Sequence, residues 1–128
     1  MFRCAAWATL LATVVVTAQA QTLAPRNFSA TALRGELVVM QAPEVLVNRQ
    51  PARLAPGARI RGADNMLKLS GSIAGQRWLV NYTLDLHGNL LDVWVLTAAE
   101  AQRQPWPTTP QQAAAWSFDA DSQVWSKP

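Results

Sequence analysis

After Cys4 this chain has no cysteine. No disulfide can staple the remainder, and no thiolate can serve it as nucleophile or metal ligand. Histidine is almost as scarce. The single one, His87, falls in the turn-like run His87-Gly88-Asn89, which offers a catalytic triad no shielded pocket. The chain carries neither a G-x-S-x-G nor a Ser-x-x-Lys motif. Asp85, Asn89 and Asp92 put oxygen donors around His87, but Leu90 and Leu96 stand where a calcium loop counted from Asp85 needs Gly and Glu. The run therefore reads as the wet end of a hairpin. Catalytic residues, metal and cofactor are all expected to be none. Trp78 and Tyr82, the aromatics a nucleic-acid platform would use, share a face with Val80 and Leu84 and read as core, so no nucleic acid is expected as partner.

Long apolar stretches are few. The conspicuous one, residues 4–17, follows the short basic start Met1-Phe2-Arg3 and precedes Ala18-Gln19-Ala20. That is the three-part pattern of a cleaved secretory signal, and it is short of the roughly 20 residues a membrane span needs. Cys4 precedes the apolar run, so it does not mark a lipoprotein. Residues 1–20 are read as a signal peptide, with a periplasmic or secreted product and no transmembrane segment after cleavage. About 108 residues then remain, enough for one domain.

The strongest pattern is Trp78 to Thr97. Trp78, Val80, Tyr82 and Leu84 alternate with Leu79, Asn81, Thr83 and Asp85, as in a strand with one buried face. After the turn, Leu91, Val93 and Val95 alternate with Leu90, Asp92, Trp94 and Leu96, apolar on both faces, which suits a central strand. Upstream, Gly35 to Met40, Glu44 to Val47, Ala52 to Leu54, Arg59 to Arg61 and Met66 to Leu69 read as short strands. The turns between them include Asn48-Arg49 and the reversal Pro56-Gly57. Downstream, Thr97 and Glu100 form a capping box for a short helix. Thr109-Pro110 starts another, ending near Trp116, and Phe118 and Val124-Trp125 suggest a closing hairpin.

Short strands at intervals of about ten residues indicate an all-β protein, best fitted by a small antiparallel barrel of the SH3-like or OB-like kind. A β-sandwich is the alternative. The expected division is signal 1–20, mobile leader 21–33, β-domain 34–97 and a tryptophan-rich tail 98–128 with short helices packing on the β-domain.

Two features could bind a partner. Arg53, Arg59, Arg61 and Arg77 belong to a basic half, residues 26–77, followed by an acidic one. They could form a face for an anionic polymer or glycolipid, or simply balance the acids they pack against. Trp106, Trp116 and Trp125 cannot all stay in water, since burying one indole is worth about 4–6 kcal/mol before entropy. Either the tail closes an edge of its own sheet or it offers aromatic anchors to an envelope protein. The segments ALRGELVV, VNRQPARLAPGARIRG, DVWVLT and PWPTTPQQAAAW resemble small exported proteins of proteobacteria with no established activity. The resemblance implies export and brings no catalytic residues. The expectation is a non-catalytic envelope module that binds protein.

Overall fold

The computed structural model describes residues 14–15 and 24–128. The expected signal peptide otherwise lies outside the described residues. Six strands form the main sheet: β1 (Leu33–Val39), β2 (Glu44–Val47), β3 (Gln50–Arg61), β4 (Leu67–Lys68), β5 (Arg77–Leu84) and β6 (Leu90–Val95). Their order is β2-β1-β5-β6-β3-β4, and β2 also pairs with β3, so five strands close into a barrel and β4 extends it beside β3. β1, β2 and β3 form a meander, and β5 returns to lie beside β1. That is a Greek key, so of the two barrels expected this is the OB-like one.

The barrel is not wholly antiparallel as expected. β3 and β6 run parallel, with Ile60 opposite Val93 and Arg61 opposite Trp94. The β5–β6 hairpin docks through β5 on β1, and this brings β6 against β3 in the same direction. Pro56-Gly57 is likewise not a reversal between two strands. β3 is continuous through it, and the register against β6 steps from Leu54–Leu90 to Arg59–Asp92, so the extra residues bulge out of one bent strand. Gly57 still takes the left-handed φ of 76° that the dipeptide signals. A second bulge breaks the alternation expected in β6. Three steps from Leu90 to Val93 face two from Leu84 to Tyr82, which turns Leu90 into the core and Leu91 outward.

Inside the barrel, Leu37, Val39, Val45, Val80, Leu90 and Val93 are nearly or wholly inaccessible to water. A second core sits outside the barrel wall. Phe28, Ala32, Trp106 and Trp125 are buried there against Trp94, Trp116 and Phe118. The tail forms it through α1 (Ala98–Ala101), α2 (Pro110–Ala115) and the hairpin of β7 (Ser117–Asp119) and β8 (Val124–Ser126). Thr97 and Glu100 complete the capping box, and Thr109 caps α2 ahead of Pro110. The expected mobile leader, 21–33, is packed from Arg26 onward. Phe28 lies edge-on to Trp94 and Trp106, and its backbone N–H and C=O both bond the Gln123 amide.

Candidate functional site

Two clusters of charged residues stand out, and they do different things. The first lies between the barrel wall and the tail. Arg34 and Asn81 point outward from β1 and β5, yet the tail covers both. The Arg34 guanidinium donates to Asn81 Oδ1 and to the carbonyls of Glu100, Ala101 and Arg103, and it lies 4.9 Å from the Trp106 ring. Burial, with Arg103 adding to it and Glu100 opposing it, pulls its pKa down to about 10. The Glu100 side chain is wholly buried. Burial alone would push its carboxyl up, but hydrogen bonds from the Arg26 side chain and from the backbone of Thr97 and Arg26, with the Arg26 charge, outweigh that and hold it at about 2. The charged groups here are aimed at other parts of the same chain, while the buried Asn81 Nδ2 has no partner among the described residues. The cluster fastens leader and tail to the barrel.

The second cluster is at the end of the barrel where β3 stops and β5 begins. Residues 62–76 span that gap, including β4 and a 3-10 turn at Ser70–Ile73. Opposite residues of paired strands share a face. Ile60, buried in the barrel, faces Lys68, while Arg61 faces Leu67 on the outside. Arg59, two residues before Arg61 on β3, shares that outer face, and Leu69 follows the end of β4. Here Met66, Leu67 and Leu69 are 63%, 62% and 82% exposed, and Met40 on the loop after β1 is 55% exposed. Two open clefts flank Lys68. One, about 430 Å³, is lined by Pro43, Leu54, Ala58, Ile60 and Leu69. The other, about 380 Å³, runs over Ile73, Trp78 and Val95.

The four arginines expected to share a groove are divided. Arg53 faces Glu44 across β2–β3 at 3.5 Å, and Arg77 faces Glu36 at 3.7 Å, each pair open to solvent. Arg59 and Arg61 remain together on β3 with no carboxylate at ion-pair distance among the described residues. The neighbouring acids are Asp92, opposite Arg59 on β6, and Asp64, which bonds Lys68 at 3.3 Å and the Met66 N–H. That backbone N–H foremost, with the Lys68 ammonium, holds the Asp64 carboxyl below its ordinary value against its slight desolvation.

The tail tryptophans turn inward. Trp106 is 5% exposed and donates to the Ala32 carbonyl, and Trp125 is 3% exposed. Trp116 is half-buried under Lys127, at the edge of a cleft shared with Arg34 and Glu36. At the opposite end of the barrel, Asp85 accepts the N–H groups of His87 and Asn89 and so organises the β5–β6 turn. Sequence reasoning missed Arg26, Glu100 as an ion-pair partner, and the exposed run Met66 to Leu69. A four-residue strand segment with apolar residues at three positions was its only signal.

Among the described residues no three His, Cys, Asp or Glu side chains gather as a metal site, and no helix is long and apolar enough to cross a membrane. Compared with family models, with curated proteins and with solved structures, the chain matches none.

Proposed function

We propose that this chain is an exported, non-catalytic accessory module of the cell envelope that works by presenting the capped end of its barrel to a partner. The observation that supports this reading is the exposure of Met40, Met66, Leu67 and Leu69 at one end, beside Arg59 and Arg61, which meet no carboxylate at ion-pair distance among the described residues. An apolar edge of this kind left bare is an aggregation hazard, and a bound partner covers it. The tryptophans do not compete for this role, because two of the three are spent on the second core. The four-arginine groove does not either, because Arg53 and Arg77 lie against acids on other strands.

A photo-crosslinking side chain placed at Leu69 tests the reading in cells. Leu86, fully exposed in the turn at the opposite end, is the control position. A discrete envelope-derived adduct from position 69 and none from position 86 is the expected result. Equal labelling from both, or none from either, overturns it.

A further inference from the structure

We infer that the partner of the capped end is the surface of an anionic phospholipid bilayer, an inference that rests on the reading of this end as the binding surface. Three features carry it. First, the apolar side chains are exposed. Leu69 keeps 82% of its surface in water and Leu67 62%, so apolar side chains are presented to the outside where they can enter the interface of a bilayer. Second, cations stand beside them. Arg61 is the cross-strand neighbour of Leu67, and Arg59 shares their outer face. Lys68 lies between the two leucines in the chain and lines both clefts. Long cationic stems beside apolar tips place their charge at headgroup level while the apolar groups go deeper. Third, the charges that matter are available. Arg59 and Arg61 make no ion pair among the described residues, and the Lys68–Asp64 contact at 3.3 Å is an exposed one that an anionic surface displaces at little cost. No helix among the described residues is long and apolar enough to cross a membrane.

The test is co-sedimentation of the protein, recovered from cells in its processed form, with vesicles of phosphatidylglycerol mixed with phosphatidylcholine, and with vesicles of phosphatidylcholine alone. Binding is expected to the first only, falling steeply as salt rises. The double variant Arg59→Gln, Arg61→Gln should bind about 30-fold more weakly at low salt, at roughly fivefold for each lost cation. Leu67→Ser with Leu69→Ser should lose binding even at low salt, while Leu86→Ser binds like the parent. Arg59, Leu67, Leu69 and Leu86 are exposed and Arg61 is half-buried, so a circular-dichroism spectrum and thermal midpoint like the parent's are required of each variant before its binding is compared. No binding to the anionic vesicles, equal binding to both vesicle types, or a leucine variant that binds like the parent overturns the proposal. A position-69 crosslink to an envelope protein, together with any of those results, removes the lipid while the barrel end stands as the binding surface. Absence of both removes both.

Discussion

Arg26 and Glu100, 74 positions apart, meet as a two-pronged ion pair. Arg26 Nη2 donates to Glu100 Oε1 at 2.7 Å and Nε donates to Oε2 at 2.9 Å, and the Arg26 backbone N–H reaches Oε2 as well. The same carboxylate accepts the Thr97 N–H and so completes the capping box of α1. One side chain therefore caps a helix and ties the start of the described chain to it.

The Glu100 carboxyl has a folded pKa of about 2, below its ordinary value of 4.5. A depressed acid stabilises the fold above its unfolded pKa and loses that contribution as pH falls through the window between 4.5 and 2. The contribution at neutral pH is up to about 3 kcal/mol. Urea titrations at pH 7 and pH 3 should show Glu100→Gln less stable at pH 7 and the gap to the parent narrowing at pH 3. A constant gap would place the cost elsewhere than in the ionised carboxylate.

The β2–β3 turn carries a strain that one substitution relieves. Asn48 and Arg49 have φ of 50° and 67°, both left-handed, as a two-residue type I′ hairpin requires. Asn48 suits the position and also accepts the Glu36 N–H. Arg49 does not, at a cost of about 1–2 kcal/mol for an L-residue with a side chain. Arg49→Gly should raise the thermal midpoint by about 4–8 °C. No change, or a fall, would show that the Arg49 side chain contributes more than its backbone costs.

Trp106 and Trp125 should behave as core residues. Each is nearly inaccessible, and their rings are 6.1 Å apart at a steep angle. Trp106→Ala should cost about 3–5 kcal/mol in chemical denaturation. It also frees the face over which Arg34 sits and the carbonyl of Ala32. A loss below about 1 kcal/mol would mean that the second core contributes little to the fold.

At the wet end of the barrel the expectation is small and specific. Asp85→Ala removes the acceptor of two turn N–H groups and should cost about 1 kcal/mol. His87→Ala, fully at the surface, should stay within about 0.5 kcal/mol of the parent. The reverse order of effects would return His87 to consideration as a working residue.

What could be read from the sequence was local. The capping box at Thr97 and Glu100, the start of α2 at Thr109-Pro110 and the closing hairpin all depend on residues within a few positions of one another, and all are present. The area of the tail's indoles requires that they be covered, but leaves open whether the chain's own barrel or a partner covers them. What depends on distant partners was not legible. Glu100 looks the same in sequence whether or not Arg26 lies across from it. Pro56-Gly57 supplies the same φ values to a reversal and to a bulge, and only the β6 strand, some thirty positions on, decides between them. Arg53, Arg59, Arg61 and Arg77 looked alike because their acids are placed by strand pairing, not by spacing. Met66 to Leu69 was read as a strand, which it is in part. Its exposure depends on β4 being the edge strand of the sheet among the described residues.

The second core also sets an order of events in time. Phe28 is among the first described residues to be synthesised, but its amide partner Gln123 and its neighbour Trp125 are among the last. The five barrel strands are complete by Val95. A nascent chain can thus close its barrel while Phe28, Arg34 and Trp94 still wait uncovered, and the final lock is set only when the last few residues arrive. A truncation that removes Gln123 and Trp125 but spares the barrel takes the amide partner from Phe28 and an indole from the second core, while Arg26 stays fastened to Glu100.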